Sequence, residues 1–344
     1  MQKHVVSITT RVFLLLVFLM AVGNISLAAQ GKLTGGIVSE HPDWFKESFL
    51  DISEDVDEAT AAGKHVILFM HLNGCPYCYK MIEEDFKHAP YRDFIQQNFD
   101  VIGINIKGDR EIAFDEETSV TEKELAKLLK VRATPTVVFL NSENKPVARL
   151  NGYRSVSAFK QALDYVHEKA YQKTSLTGYL QERQDSPKYR FRDHPQLKQI
   201  TDLRAVADQP LAVLLEDERC DDACDALHDG HLSNPEINKV LENYTFVRLD
   251  ALATTPLIDV EGNATTPREY VEKLGLSYRP GIVLFDRGRE ITRIDGLLYT
   301  YHFQELLRYV GERHYEQYPN SFFDYLDVQT DKILSSGEDI DISK

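Results

Sequence analysis

The chain has 344 residues, of which 43% are hydrophobic and 27% are charged. That length leaves room for about two domains of ordinary size, and the composition is that of a globular protein. The formal net charge is −15, from 54 acidic and 39 basic residues. This acidity argues against a sequence-independent nucleic-acid binder, which needs basic side chains to neutralise phosphates, so we expect no nucleic-acid partner.

The N-terminus has the layout of a secretory signal peptide. Lys3 and Arg11 are basic, residues 12–22 form an apolar run, and Ser26-Leu27-Ala28 is a small-x-small site. We therefore expect cleavage after Ala28 and a periplasmic location. The apolar run is shorter than the roughly 20 residues of a membrane-spanning helix, so we do not expect an integral membrane protein after cleavage. The alternative is an uncleaved segment that anchors the protein to a membrane.

Residues 51–171 form one predicted unit of helices and strands. Residues 65–71 are an apolar run bounded by turn residues, which is typical of a buried strand. Thr121 and Glu124 form a capping box that opens a helix with leucines on one face. Further strands are predicted at 100–106, 136–140 and 148–151, further helices at 51–62, 79–86 and from residue 155, and a polar excursion at 108–120.

A second unit repeats the first after about 145 residues. Apolar strands are predicted at 211–215, 245–249 and 281–285, in the same order as in the first unit. Cys75 lies sixty positions before Pro135, and Cys220 lies sixty positions before Pro280. Agreement over so many landmarks indicates an internal duplication with a domain-sized period.

The duplication predicts the domain organisation. The polar segment between the units contains Pro187 and Pro195, which break regular structure, so it is interpreted as a connector. The C-terminal end is acidic and is expected to be a frayed tail. The predicted parts are a signal peptide (1–28), a catalytic domain (31–172), the connector (173–200), a second and divergent domain (201–325) and the acidic tail (326–344).

The first cysteine pair, Cys75-Pro76-Tyr77-Cys78, lies between a predicted strand and a predicted helix. Unpaired amides and the helix dipole at a helix N-terminus stabilise the thiolate that attacks in disulfide exchange. Three residues further along, Cys78 returns to the same face within bonding reach of Cys75. We predict that Cys75 is the exposed nucleophile and Cys78 the shielded resolving thiol. Half a zinc site and an inert disulfide are the alternatives.

A second feature of the first unit is Thr134-Pro135, directly before a predicted strand. A cis bond here would turn the backbone toward the thiols and leave an amide and a carbonyl free for an incoming chain. We therefore predict that Thr134 and Pro135, together with Pro76 and Tyr77, bind the substrate. A trans proline that only begins a strand is the alternative.

Five stretches of the first unit together carry a family resemblance: 45–51, 74–78, Asn105 with the insert 108–111, 131–136 and 152–153. On these residues the first unit resembles the thioredoxin superfamily and, within it, the SoxW-like periplasmic thioredoxins, over roughly 130 residues. The resemblance implies the thioredoxin fold, a catalytic Cys75/Cys78 pair and a cis-Pro135 beside it, and a role in protein-disulfide chemistry or cytochrome maturation. With the duplication, the expected fold class is α/β, with two tandem thioredoxin-like folds, each a mixed sheet flanked by helices.

The second pair, Cys220 and Cys224, has one residue more between its cysteines and many acidic neighbours, which disfavour a thiolate. Three interpretations stay open. The domain could be degenerate and serve docking, or the pair could relay electrons to the first domain. Alternatively, Cys220, Cys224, His228 and His231 could lie on one helix face and hold copper or zinc.

The sequence thus predicts an exported thiol:disulfide oxidoreductase that acts through Cys75 and Cys78. Its expected partners are protein thiols or disulfides and an upstream redox partner, and it needs no cofactor beyond its redox-active disulfide. The alternative is a module whose second domain binds copper or a partner protein and whose first domain services it.

Overall fold

A computed structural model describes residues 30–183, 189–220, 222–319 and 321–344. The predicted signal peptide lies outside the described residues. Within the described part, none of the helices combines the length and the apolar character needed to cross a bilayer. The described chain forms two α/β units built on one strand topology.

The first unit has a four-stranded sheet in the order β3-β2-β6-β7, in which β2 and β3 are parallel and the other pairs antiparallel. Its elements are β1 (Leu33–Thr34), α1 (Ile52–Ala61), β2 (His65–His71), α2 (Pro76–Met81), α3 (Arg92–Asn98), β3 (Phe99–Asn105), β4 (Glu111–Ala113), β5 (Ser119–Thr121), α4 (Glu122–Leu128), β6 (Thr136–Leu140), β7 (Pro146–Asn151) and α5 (Val156–His167). Helix α2 continues directly into a π-helical turn, Ile82–Lys87.

Local sequence explains these elements. Strand β2 is buried along nearly its whole length because it lies at the centre of the sheet, with apolar clusters on both faces. The capping box of Thr121 and Glu124 is present at the start of α4. Residues 108–120, predicted as a polar excursion, contain β4 and most of β5, which pair with each other in antiparallel orientation.

The second unit has a five-stranded sheet in the order β14-β13-β9-β10-β8. Strands β9 and β10 are parallel and β9 and β13 antiparallel, as in the first unit, and β8 adds an outer parallel strand. Its elements are β8 (Leu197–Lys198), β9 (Leu211–Glu216), α7 (Asp222–Ala226), α8 (Pro235–Leu241), β10 (Thr245–Asp250), β11 (Leu257–Ile258), β12 (Ala264–Thr265), α9 (Pro267–Leu274), β13 (Gly281–Asp286), β14 (Arg289–Ile294) and α10 (Thr300–Gly311), with α6 (Leu176–Glu182) before them.

The connector and the C-terminal end are more ordered than the sequence predicts. The predicted connector contains α6, and it contributes β8 to the second sheet. The predicted tail and the residues just before it form α11 (Phe322–Ser335) and β15 (Ile340–Asp341), and β15 pairs in parallel with β1. The expectation of a frayed end is therefore wrong for this segment, because Tyr325, Leu326 and Ile340 are buried.

Candidate active site

Cys75 and Cys78 meet at the N-terminus of α2 and form a disulfide, with Cα atoms 5.3 Å apart. The chain leaves β2, turns at Gly74 in a left-handed conformation (φ 77°) and enters the helix with Pro76 in its first turn. Cys75 is the N-cap residue, and its sulfur accepts a hydrogen bond from the Cys78 amide at 3.1 Å. The helix terminus thus directs a donor at the sulfur that the sequence predicts to be the nucleophile.

Thr134 and Pro135 lie beside this disulfide, at the start of β6. The Thr134–Pro135 peptide bond is cis. The Thr134 hydroxyl donates a hydrogen bond to Cys75 Sγ at 3.4 Å, and the Thr134 carbonyl oxygen is 3.6 Å from the same atom. The carbonyl of Pro135 accepts from the Gly152 amide at 2.7 Å. The structure therefore brings all of the predicted first-domain site residues to one place.

A cavity of about 810 Å³ borders this place. It is lined on one side by Cys75, Pro76, Tyr77 and Thr134, and Cys78 is not among its described lining residues. Cys75 is 6% exposed and Cys78 is completely buried. Of the two sulfurs, only that of Cys75 belongs to a residue that an incoming thiol can reach from the cavity.

The opposite side of the cavity is formed by the second unit and by α11. Its apolar residues include Leu297, Leu298 and Leu306 from the second unit and Phe322 and Leu326 from α11. The site is therefore composite, because Cys75 and Cys78 belong to the first unit and much of the wall does not.

Tyr77, between the two cysteines, holds the second unit in place. Its hydroxyl donates to His302 Nδ1 and accepts from the Tyr299 amide, each at 2.9 Å, and its ring stacks on that of Tyr299 at 4.8 Å. Burial lowers the pKa of His302 to about 4, so the imidazole is neutral near pH 7 and its Nδ1 can accept. Burial also raises the pKa of the Tyr77 phenol well above its usual range.

A second set of contacts joins equivalent loops of the two units. Arg154 is 2% exposed, and it donates to the carbonyl oxygen of Asp295 at 2.7 Å and to its carboxylate at 3.3 Å. Asn151 donates to the same carboxylate at 3.1 Å. Gly152 and Gly296 approach so closely that a Cβ on Gly296 would lie 2.9 Å from the Gly152 Cα. Arg154 and Asp295 thus form a buried, hydrogen-bonded ion pair that joins the two units.

The second cysteine pair is also a disulfide, but it lies in a closed environment. Cys220 is 2% exposed, Cys224 is fully buried, and both form a buried cluster with Tyr189 from the connector. The Tyr189 hydroxyl donates to the buried Glu216 carboxylate at 3.1 Å, and His228 Nε2 lies 3.2 Å from the same oxygen. Neither sulfur belongs to a described residue that lines the cavity beside Cys75.

The four weak metal candidates do not form a common site. The sulfurs of Cys220 and Cys224 are bonded to each other, and His228 contacts Glu216. His231 contacts the Leu298 carbonyl at 2.9 Å and stacks on Phe303. In the described part of the chain, no three His, Cys, Asp or Glu side chains are grouped to hold a metal ion.

Sequence reasoning did not find the wall of the cavity. Tyr299 and His302 belong to no recognisable motif, because Tyr77, which both contact, is more than two hundred residues away. One signal could have indicated α11: Phe322, Tyr325 and Leu326 have the i, i+3, i+4 spacing of an apolar helix face.

A family model for the Thioredoxin-like domain matches the chain twice, over residues 52–167 and 198–311. A search of curated proteins gave no match. Among solved structures, a thioredoxin-fold protein from Helicobacter pylori is 26% identical over 34% of this chain and 83% of its own, with a TM-score of 0.31. The DsbH oxidoreductase is 17% identical (38% and 91% covered, TM-score 0.28), and a thioredoxin from Thermus thermophilus is 23% identical (40% and 87% covered, TM-score 0.27).

Proposed function

Because the chain belongs to the Thioredoxin-like domain family in both of its halves, we propose that it is an exported thiol:disulfide oxidoreductase acting through Cys75 and Cys78. The observation that carries the proposal is the position of the first disulfide. It lies at a helix N-terminus and beside Thr134, and it presents only Cys75 to a cavity. The second pair, buried beneath Tyr189, lacks that access.

The exchange proceeds in two displacements at sulfur. A substrate thiolate attacks Cys75 Sγ, the Cys75–Cys78 bond breaks, and its electron pair leaves on Cys78 Sγ. A second substrate thiolate then attacks the substrate sulfur of the mixed disulfide, and Cys75 leaves as a thiolate. The substrate loses two electrons and releases two protons to water, while the protein gains two electrons and its thiolates take up protons according to their pKa values. The reverse sequence reduces a substrate disulfide.

Two groups stabilise Cys75 as a leaving thiolate. The Cys78 amide and the Thr134 hydroxyl both donate to its sulfur in the disulfide form. Hydrogen bonds to a charged acceptor are stronger than those to a neutral one, so both gain strength when the negative charge appears. The positive end of the α2 dipole acts in the same direction.

For the second domain we propose a docking role rather than an electron relay. A relay needs direct contact between sulfurs, whereas Cys220 and Cys224 are buried in a cluster with Tyr189. The second domain instead supplies Leu297, Leu298 and other residues to the cavity that Cys75 borders. This contribution supports a part in holding the substrate.

The periplasmic location and the affiliation with the SoxW-like thioredoxins are parts of the same proposal. They are supported by the layout of residues 1–28 and by the motif residues around Cys75. A compartment that maintains disulfides suits a protein whose four cysteines all form them. Protein thiols or disulfides and an upstream redox partner are the proposed partners.

The proposal is tested with serine variants of the full chain. We expect Cys75→Ser to lower the rate of exchange with a dithiol peptide by at least about a hundredfold. Cys78→Ser, mixed with the disulfide form of the peptide, should accumulate a mixed disulfide at Cys75. The Cys75 thiolate displaces one peptide sulfur as a thiolate, and the Cys78 thiol that would release the other is missing. The double variant Cys220→Ser/Cys224→Ser is the matched control and should retain most of the wild-type rate. Rates are measured by acid quenching, alkylation and mass spectrometry, and an undiminished rate in Cys75→Ser would refute the proposal.

A further inference from the structure

Access to Cys75 is restricted by parts of the chain outside its own domain. Cys75 is 6% exposed and Tyr77, two residues further on, is 5% exposed. The Tyr77 ring is covered by Tyr299 and its hydroxyl is bound by His302. An incoming sulfur must approach to the roughly 2 Å of an S–S bond, so the group that carries it has to enter the cavity.

The size of the cavity limits what can enter. Its volume is about 810 Å³, which falls in the range of about 300–1,000 Å³ for pockets that enclose small ligands. A contact with a folded partner spreads over a broad surface, about 800 Å² on each side in a stable complex and less in a transient redox encounter. A sulfur fixed on the convex surface of a folded protein is therefore less able to enter the cavity than one on an extended chain.

The chemistry of the lining indicates which chains fit. Leucine and phenylalanine side chains from three parts of the protein face the cavity, among them Leu72, Leu298 and Phe323. Burying apolar side chains against them is favourable by roughly 25 cal/mol per Å².

The charged residues of the lining are largely partnered with one another or with the backbone. Lys107 lies 3.1 Å from Asp327, and Arg132 lies 3.9 Å from Glu290. Arg149 donates to the carbonyls of Leu129 and Lys130. The lining therefore favours apolar flanking residues over acidic ones.

Helix α11, which forms one wall of the cavity, is held by backbone hydrogen bonds near its C-terminal end. The Gly31 amide donates to the Leu334 carbonyl, and the Ile340 amide donates to the Lys32 carbonyl. The Thr300 amide, at the start of α10, donates to the carbonyl of Lys344 at 2.7 Å. A large substrate would have to break these contacts to widen the cavity, whereas a narrow one would not.

We propose that Cys75 exchanges disulfides with cysteines carried on extended, flexible polypeptide segments with apolar flanking residues, and that it excludes cysteines fixed on folded surfaces. The inference rests on the proposed function and names its substrate class. The sulfur of the segment forms the mixed disulfide with Cys75 inside the cavity, and Cys78 leaves as described above. The second domain and α11 thus determine specificity, although they contain none of the reacting atoms.

The test compares four reduced probes with the oxidised full-length protein. They are a linear two-cysteine peptide with leucine flanks, the same peptide with aspartate flanks, the same two cysteines on the surface of a stable helical scaffold, and dithiothreitol. We expect the leucine peptide to react at least about tenfold faster than the aspartate peptide and about a hundredfold faster than the scaffold.

Two substitutions on α11 then test the wall. Leu334 is half-buried and lines the cavity, whereas Val328 is 51% exposed and is not among the described lining residues. We expect Leu334→Trp to slow the leucine peptide about tenfold more than it slows dithiothreitol, because the indole fills space the peptide needs. Val328→Trp is the matched control and should change neither rate.

The outcomes separate this inference from the function on which it rests. Equal rates for scaffold and leucine peptide, or no selective loss in a folded Leu334→Trp, would overturn the substrate class while exchange through Cys75 still holds. If dithiothreitol reacts as well with Cys75→Ser as with wild type, the proposed function itself fails. Should Leu334→Trp lose its native circular dichroism, the comparison of the four probes on the wild-type protein decides alone.

Discussion

Asp85 provides a sharp test of the electrostatics next to the active-site helix. It lies in the π-helical turn that follows α2, is completely buried, and its Oδ2 has no hydrogen-bond partner among the described residues. Tyr91 Oη is 3.1 Å from Asp85 Oδ1 and 2.7 Å from the Val156 carbonyl oxygen. The phenol has one hydrogen and the carbonyl can only accept, so a protonated Asp85 that donates to Tyr91 satisfies both contacts.

The predicted effect of Asp85→Asn depends on pH. Burial raises the pKa of Asp85 from 3.8 to about 8. Between these two pH values, the Asp85 carboxyl group is ionised in the unfolded chain and protonated in the folded protein. The free energy of unfolding therefore falls progressively as pH rises, and the loss becomes constant above about pH 8. At about 1.4 kcal/mol per pH unit, the loss between pH 4 and pH 7 is about 4 kcal/mol.

Asparagine does not ionise and removes that loss. Its extra buried N–H lowers stability by about 1–3 kcal/mol at every pH. We therefore expect Asp85→Asn to be less stable than wild type near pH 4 and more stable by about 1–3 kcal/mol near pH 7.

Urea unfolding followed by tryptophan fluorescence measures this difference. Trp44 is the single tryptophan of the chain, and its ring is 6.2 Å from that of Phe86, next to Asp85. The matched control is Asp93→Asn, at an exposed carboxylate on α3, where a surface substitution should change stability by about 0.5 kcal/mol or less. A stability difference for Asp85→Asn that does not change from pH 4 to pH 8 would show that the folded protein does not hold this proton.

Two further predictions concern the second domain. Tyr189→Ala should speed reduction of the Cys220–Cys224 disulfide by dithiothreitol about tenfold, because removing the ring opens access to buried sulfurs. Arg190→Ala, at an exposed neighbouring residue, is the control and should leave that rate unchanged. If Tyr189→Ala and the wild type are reduced at the same rate, Tyr189 does not shield the sulfurs. Gly296→Ala should lower the Tm by several degrees in calorimetry, because its Cβ would lie 2.6 Å from the Asn151 carbonyl oxygen. Gly230→Ala, with no atom within 4 Å of its Cβ, is the control, and a comparable Tm loss in both would refute the steric argument.

Much of the fold could be predicted because its signals are local. The predicted strands 65–71 and 136–140 coincide with β2 and β6, since apolar runs between turn residues indicate buried strands wherever they occur. The duplication was equally visible, and the two sheets share a topology. The prediction of a frayed C-terminal end was wrong, because the acidic residues of this segment obscured the apolar face of α11. That face is stabilised by packing against the second unit, which lies outside the segment.

In the candidate site, too, only the features that depend on local sequence could be predicted. Cys75 and Cys78 are three residues apart, so helix geometry alone brings their sulfurs together. The four metal candidates followed the same rule of spacing, yet a π-helical turn intervenes, and His228 and His231 point to different partners. The metal-site prediction assumed the residue spacing of a continuous α-helix, and it was wrong because Leu227–His231 form a π-helical turn.

By itself, the sequence determined two tandem units, a strand–cysteine pair–helix junction in the first, and an acidic second pair unlike it. Only the tertiary structure decided which sulfur faces open space and what surrounds it. Tyr77 and His302 are separated by 225 positions, and Arg154 and Asp295 by 141. Spacing of a few residues is imposed by backbone geometry and can be read along the chain. Contacts over such distances arise only when many weak interactions bring two folded units together, and these contacts enclose Cys75.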